Sequence, residues 1–140
     1  MNKKAVTILE VLVVLIVIAI LSAVAVPTFN AKIERTRGER AIANIQLIAD
    51  AYKIYAIKNT VNPSAMNSLT EINNLLNLEL SDAYFNYDIK FEIIDIPGKF
   101  FLGTRIQAIR NNGTYLNKTI RYNLTSSSWD IMISTWPWMP

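Results

Sequence analysis

The chain has 140 residues, of which 51% are hydrophobic, and it carries 14 Lys and Arg against 11 Asp and Glu. This length allows one membrane helix and one small domain. The chain contains no cysteine and no histidine, which excludes disulfides and removes most metal sites, catalytic triads and histidine bases. Lys3 and Lys4 account for two of the charges in the net +3, so the basic balance does not indicate nucleic-acid binding.

A long apolar run follows the short basic start of the chain. It extends over 21 residues from Val6 to Val26 and is closed by Pro27. As a helix it would be roughly 31 Å long, which is the thickness of a bilayer's hydrocarbon core. The run contains Glu10, and a carboxylate near the middle of a membrane helix costs about 2.5–3.5 kcal/mol. That cost predicts a cationic partner, which the α-amino group of Val6 on a neighbouring copy would supply after cleavage before Val6.

This arrangement resembles the prepilin signature of type IV pilins and type II secretion pseudopilins. The family has a basic leader, a small residue before its cleavage site, a typical start of the mature chain and a proline that kinks the helix. The family prefers Gly before the cut and Phe after it, and this chain departs from both preferences. The matching residues, in chain order, are Lys3, Lys4, Ala5, Thr7, Leu9, Glu10 and Pro27.

The resemblance implies specific processing and assembly steps. Cleavage is expected between Ala5 and Val6, followed by N-methylation of Val6, and subunits are expected to dock through Glu10 and the amino group of Val6. Pro27 is expected to kink the helix without ending it. The partners implied are a prepilin peptidase, copies of the chain and other pilin-like subunits, an inner-membrane assembly platform and membrane lipid.

A structural subunit of this kind is not expected to be an enzyme or to hold a cofactor. It would lie in the bacterial inner membrane as a single-pass protein with a cytoplasmic N-terminus, and then in a periplasmic or extracellular filament. The predicted domains are a leader (1–5), the transmembrane half of the long helix (6–27), and the amphipathic half-helix with a C-terminal α/β domain (28–140).

Three other interpretations of the apolar run remain open. Ala23-Val24-Ala25 is an A-x-A sequence that suits signal-peptide cleavage, although the run is longer than a usual signal h-region and contains Glu10. A plain membrane anchor explains the length of the run but not the acid. A non-polymerising, membrane-anchored periplasmic binding or accessory domain is the main functional alternative.

Beyond Pro27 the pattern predicts that the helix continues to about Lys58. The charged stretch from Lys32 to Arg40 marks the predicted exit from the membrane. Pro63 and its neighbours predict the end of the helix. An apolar stripe in between is expected to pack against the chain's own domain; it consists of Ile42, Ile45, Ala49, Tyr52 and Ala56, and Ile48 and Tyr55 widen it.

The remaining sequence predicts a short helix and an antiparallel meander of three or four strands. Ser68 and Glu71 form a capping box that opens a helix to about Leu78. The alternation of Tyr87, Ile89, Phe91 and Ile93 with Asp88, Lys90 and Glu92 predicts a strand over 84–93 with the charged residues facing solvent. Further strands are predicted over 100–110, 119–124 and 129–133, with turns at Pro97-Gly98, Asn111-Asn112-Gly113 and Ser126-Ser127-Ser128. One sheet face would cover the amphipathic half of the long helix, which makes the predicted fold α+β and pilin-like.

No metal site is predicted. Asp82, Asp88, Glu92 and Asp95 do not form a calcium loop. Three N-x-T sequons, at Asn112, Asn117 and Asn123, are interpreted as chance matches in an Asn-rich chain. Trp136 and Trp138 close the chain; they are expected to cover the sheet edge, with contact to a neighbouring subunit as the alternative.

Overall fold

The computed structural model describes residues 7–59, 65–96, 99–113 and 115–130, with the backbone alone for 92–96 and 99–102. The chain divides into two units between Thr36 and Arg37; they are called the N-terminal and the C-terminal unit below. The predicted leader, its cleavage site and the Trp tail lie outside the described residues. The elements are α1 (Ile8–Lys58), α2 (Leu69–Leu76), β1 (Phe85–Ile96), β2 (Lys99–Arg110), β3 (Thr119–Asn123) and β4 (Ser128–Trp129).

Helix α1 confirms the predicted long helix, because it continues through Pro27 and ends at Lys58. The carbonyl of Tyr55 accepts from the backbone N–H of Asn59 at 3.0 Å and from the Asn59 side-chain amide at 2.9 Å, so this carbonyl of the last turn has two donors. Pro63 lies outside the described residues, and its predicted role as a stop signal stays a prediction.

The sheet confirms the predicted meander. Its strand order is β1-β2-β3-β4 and every neighbouring pair is antiparallel. Tyr87 lies opposite Ala108, which in turn lies opposite Ile120, so apolar residues of three strands share one face. Pro97 and Gly98 lie outside the described residues, but Ile96 pairs with Lys99 on either side of them. β4 begins at Ser128, and its predicted continuation to Ile133 also lies outside.

The core lies between this sheet face and the part of α1 in the C-terminal unit. Ile45 and Ile48 are fully buried, as the stripe predicts. Ala56 was predicted to belong to the stripe, and this is wrong, because it is exposed. It lies one turn beyond Tyr52 and lines an open groove of about 370 Å³. The buried apolar residues are Ala41, Ile45, Ile48, Ala49, Tyr52, Met66, Ile72, Phe85, Tyr87, Ile89, Ile106, Ala108 and Ile120.

Helix α2 begins with the predicted cap and ends two residues earlier than predicted. The Ser68 hydroxyl accepts a hydrogen bond from the backbone N–H of Glu71 at 3.2 Å. The Glu71 carboxylate accepts from the backbone N–H of Asn67 at 2.8 Å, so it binds the residue before the cap. Asn77 adopts the left-handed conformation with φ 52°, which ends the helix before Leu78.

Asp88 on the opposite face of the sheet was predicted to point into solvent, and this is wrong. It is only 7% exposed, because Gln107 of the adjacent strand β2 and Lys90 of β1 itself lie against it. Its Oδ2 accepts a hydrogen bond from Gln107 Nε2 at 2.7 Å and lies 3.6 Å from Lys90 Nζ. The Gln107 amide oxygen accepts from Arg121 Nε at 2.9 Å. This face therefore carries a connected row of polar side chains from Lys90 and Asp88 through Gln107 to Arg121. The side chain of Glu92, which was predicted to share this face, is not among those that the structure describes.

The β2–β3 connection is longer than the turn predicted at Asn111-Asn112-Gly113. It runs from Asn111 to Lys118, between the end of β2 and the start of β3. Gly113 has φ 80° and Asn117 has φ 64°, conformations that glycine and asparagine adopt more easily than other residues. The backbone of Arg110 closes the loop, because it donates to Lys118 and accepts from Asn117, each at 2.9 Å.

Candidate functional site on the apolar helix

In the N-terminal unit, the apolar side chains on every side of α1 are exposed. Their exposure ranges from 49% at Val11 to 87% at Ile8. Between Glu10 and Lys32 the sequence has no charged residue. By length and composition this helix could cross a membrane. Removing a large apolar side chain from water contributes about 1.5–3 kcal/mol, so this surface calls for lipid or protein around it.

Glu10 lies in the first turn of α1, next to the residue that caps the helix. Its backbone N–H donates to the carbonyl oxygen of Thr7 at 3.1 Å and to the Thr7 hydroxyl at 3.3 Å. A carboxylate in the first turn is stabilised by the helix dipole, by about 0.3–1 kcal/mol at an exposed site. Part of the cost of the charge is thus offset within the helix itself.

Thr7 and Glu10 also have the T-x-x-E spacing of a capping box, which sequence analysis missed. The signal was present in the sequence, because a threonine followed three residues later by a glutamate marks a helix start. This gives Glu10 a local role beside the predicted assembly role. The two roles call for different tests.

Of the predicted site residues, the structure describes Glu10 and Pro27, which both lie in α1. Ala5 and Val6 lie outside the described residues, so cleavage, methylation and the Val6–Glu10 contact stay predictions. Pro27 is inside the helix, where it cannot donate to the carbonyl of Ala23. One residue later the Thr28 hydroxyl donates to the carbonyl oxygens of Ala25 at 2.9 Å and of Val24 at 3.2 Å, neither of which is the carbonyl that Pro27 leaves open. The predicted kink stays a prediction.

The C-terminal unit contains a polar network that joins three parts of the fold. Asn44 of α1 donates to the Tyr87 phenol at 3.0 Å, and the phenol donates to Asp82 Oδ2 at 2.7 Å. Asp82 Oδ1 accepts from the backbone N–H groups of Tyr84 and Phe85. Burial raises the pKa of the Tyr87 phenol, and the hydrogen bond to Asp82 raises it further. Such a phenol is a poor acid near neutral pH, and the network ties α1 to β1 and to the loop before it.

Three arginines hold the same loop from two sides. Arg37 Cζ lies 4.0 Å from the centre of the Tyr84 ring, and Arg110 Cζ lies 5.0 Å from it. Arg110 also donates to the carbonyl of Tyr84 at 3.1 Å, while Arg40 donates to that of Ser81 at 2.9 Å. Contacts of a guanidinium with an aromatic ring contribute about 0.5–2 kcal/mol. Sequence analysis missed these contacts, because they join residues far apart in the chain.

Within the residues that the structure describes, no group of three or more Asp and Glu side chains is placed to hold a metal ion. Both oxygens of Asp82 already accept hydrogen bonds from Tyr84, Phe85 and Tyr87. The polar contacts described in the C-terminal unit therefore stabilise its fold. Among the described residues, the surface best suited to bind lipid or another protein is the exposed apolar part of α1.

Comparison with protein-family models found no match. Comparisons with curated proteins and with solved structures likewise found none.

Proposed function

We propose that the chain is a structural subunit of a type IV pilus or of a type II secretion pseudopilus. The observation that carries the proposal is the position of Glu10, in the first turn of a helix that has no other charge before Lys32 and that could span a membrane. The basic start of the chain and the small residue at Ala5 support it. The α+β fold, with one long helix on a four-stranded antiparallel sheet, is consistent with such a subunit.

In this proposal a prepilin peptidase removes residues 1–5 and Val6 becomes the methylated first residue. The apolar helix holds the subunit in the bacterial inner membrane until an assembly platform transfers it into a filament. There the helix exchanges lipid for the helices of other subunits. Glu10 then pairs with the amino group of Val6 on an adjacent copy, because two opposite charges at low dielectric stabilise each other when they meet.

The alternative is an anchored periplasmic domain that never polymerises. The self-contained core of the C-terminal unit favours it, because a domain with its own core can work on a simple anchor. This alternative gives Glu10 only its local role at the start of α1.

Mass spectrometry of the mature N-terminus in a host with a prepilin peptidase tests the proposal. A chain that begins at methylated Val6 is the expected result. An intact Met1 would favour the plain anchor, and a chain that begins at Val26 would reveal a signal peptide. Co-expression with and without the peptidase provides the control, since the mass should change by the five leader residues only in its presence.

A further inference from the structure

Asn112 and Gly113 lie next to each other in the loop between β2 and β3, and both are exposed. Glycine has no Cβ, so its backbone nitrogen can approach the side chain of the preceding residue without hindrance. Gly113 has φ 80°, and its carbonyl accepts from the backbone N–H of Leu116 at 3.1 Å. In the part of the loop that the structure describes, the hydrogen bond of Gly113 therefore uses its carbonyl and leaves its N–H available for reaction.

Two nearby asparagines are followed by a backbone nitrogen that is already engaged. Asn117 is exposed, but the N–H of Lys118 after it donates to the carbonyl of Tyr115 at 3.0 Å. The residue after Asn123 donates its N–H to the carbonyl of Thr104 at 2.9 Å. A nitrogen that donates a hydrogen bond has to break it before the nitrogen can lose its proton and attack a carbonyl. The fold therefore protects these two asparagines more than it protects the first.

The guanidinium of Arg110 lies beside the same turn. Its Nη2 lies 3.5 Å from the position that a Cβ on Gly113 would occupy, and that position shares its Cα with the Gly113 nitrogen. A cation close to a titratable group favours the form that has lost its proton. Arg110 is only 1% exposed, so salt in the solvent screens its charge weakly. The guanidinium therefore favours loss of the amide proton of Gly113.

We propose that Asn112 and Gly113 form a self-modifying site that converts asparagine into aspartate and isoaspartate with water as its only reagent. The nitrogen of Gly113 loses its proton and bonds to Cγ of Asn112. The bond between Cγ and the side-chain nitrogen breaks, and ammonia leaves with that proton. Water then opens the five-membered imide at one of its two carbonyl carbons, which gives aspartate or isoaspartate, and no electrons are transferred. The fold directs the reaction to Asn112 and spares Asn117 and Asn123.

The product differs from the original chain in charge and in backbone. It carries a new carboxylate on the β2–β3 loop beside Arg110, and in isoaspartate the former side-chain carbon becomes part of the backbone. Because ammonia is lost, the change is not reversed in water, so older molecules differ from newly made ones at this loop. The reaction needs no partner and does not depend on the proposed function.

Peptide mass mapping of the purified full-length chain, before and after incubation in detergent at mildly alkaline pH, tests the proposal. Aspartate and isoaspartate are expected to accumulate at Asn112 severalfold faster than at Asn117 and Asn123 of the same molecules, which serve as internal controls. Similar rates at the three positions, or no conversion at Asn112, would overturn the proposal.

The same measurement in urea separates the fold from the local sequence. Unfolding removes the hydrogen bonds that protect Asn117 and Asn123, so the excess rate at Asn112 should shrink. An excess of the same size in urea would overturn the directing role of the fold.

Gly113→Ala tests the attacking nitrogen. It places a Cβ next to that nitrogen, at a φ that side chains rarely adopt, and should slow conversion of Asn112 severalfold while circular dichroism stays unchanged. If the protein does not fold with alanine, Gly113→Asn, which tolerates this φ better, takes its place. Conversion as fast as in the original chain would contradict attack by this nitrogen.

Discussion

Asn44 of α1 and Tyr87 of β1 are joined by a hydrogen bond of 3.0 Å, although they are 43 residues apart in the chain. The Tyr87 phenol accepts this bond and donates another to Asp82 at 2.7 Å, which a hydroxyl can do at once. One side chain thus connects the long helix, the first strand and the loop that precedes the strand. The stability of the C-terminal unit should therefore respond to changes on either side of this link.

A fragment that begins at Lys32 is expected to fold without the apolar half of α1, because its core lies wholly in the C-terminal unit. In this fragment Ile45→Ala should lower the free energy of unfolding by about 2–5 kcal/mol, as is usual for a buried large-to-small change. Ile54→Ala on the exposed side of the same helix is the matched control and should change it by about 0.5 kcal/mol or less. Urea denaturation followed by circular dichroism measures both. A fragment without cooperative unfolding would contradict the expectation.

Tyr87→Phe is expected to lower the free energy of unfolding by about 0.5–1.5 kcal/mol for each hydrogen bond that the phenol makes. Asn44 loses one acceptor and keeps Asp82 Oδ2 at 3.4 Å, and Asp82 loses its hydroxyl donor, while the ring stays in the core. Tyr122→Phe, which removes a hydroxyl outside this network, is the control and should cost less. Equal effects of the two changes in urea denaturation would show that the link contributes nothing of its own.

Stability is expected to fall as the pH rises above about 10, the ordinary tyrosine pKa. Burial raises the pKa of Tyr87 and of Tyr52 in the folded chain, so both phenols lose their protons more easily when the chain unfolds. Their contribution is fully present below the unfolded pKa and is lost above it, by up to about 1.4 kcal/mol per pH unit for each group. Unfolding curves between pH 8 and 11 should show this decline, with a smaller slope for Tyr87→Phe. Equal slopes would contradict the linkage to Tyr87.

The spacing of apolar residues in the sequence predicted the helices and strands of this fold. The features that it did not predict depend on contacts between residues far apart in the chain. The alternation from Tyr87 to Phe91 is visible in neighbouring residues, because a strand turns successive side chains to opposite faces. The burial of Asp88 depends on Gln107, 19 residues away, and no spacing within β1 reveals it. Ala56 continues the helical period of its stripe and is nevertheless exposed, because a period carries no information about where the partner surface ends.

At the candidate site, too, one feature could be predicted from the sequence and another needed the structure. The acid inside an apolar run was evident from sequence, since a charge among membrane-grade residues is costly wherever the helix lies. The T-x-x-E spacing of Thr7 and Glu10 is also visible in the sequence, but only the start of α1 at Ile8 shows that it lies at a helix end, because helix ends are the least certain feature of any pattern.

Asp88 and Gln107 are expected to be energetically coupled. Gln107→Ala should destabilise the chain by about 1–3 kcal/mol, because Asp88 Oδ2 loses a donor in a buried position. In a chain that already carries Asp88→Ala, the same change should cost less, and the difference should be about 0.5–3 kcal/mol. A double-mutant cycle in urea measures it. Additive effects of the two changes would mean that the polar row merely covers the sheet.

Glu10→Ala is expected to leave membrane insertion and leader removal intact and to impair polymerisation. Without the carboxylate, residence in the membrane becomes easier by up to about 2.5–3.5 kcal/mol on insertion scales, and by less near the helix end. Docking loses its charge partner, and an unpaired buried charge costs several kcal/mol. The two effects have opposite signs, so mature but unassembled protein should accumulate in the inner membrane, as fractionation and filament shearing would measure.

Two further variants separate the docking role of Glu10 from its role at the helix start. Thr7→Ala removes the hydroxyl that accepts from the Glu10 N–H but keeps the carboxylate, so filament yield should fall much less than with Glu10→Ala. Glu10→Gln keeps the size of the side chain and removes its charge, so it should fail like Glu10→Ala if pairing with the amino group of Val6 is what matters. Equal losses from Thr7→Ala and Glu10→Ala would point to the start of α1 as the cause. Wild-type filament yield from Glu10→Ala would mean that Glu10 is not the docking residue, because no other acid lies within the apolar run.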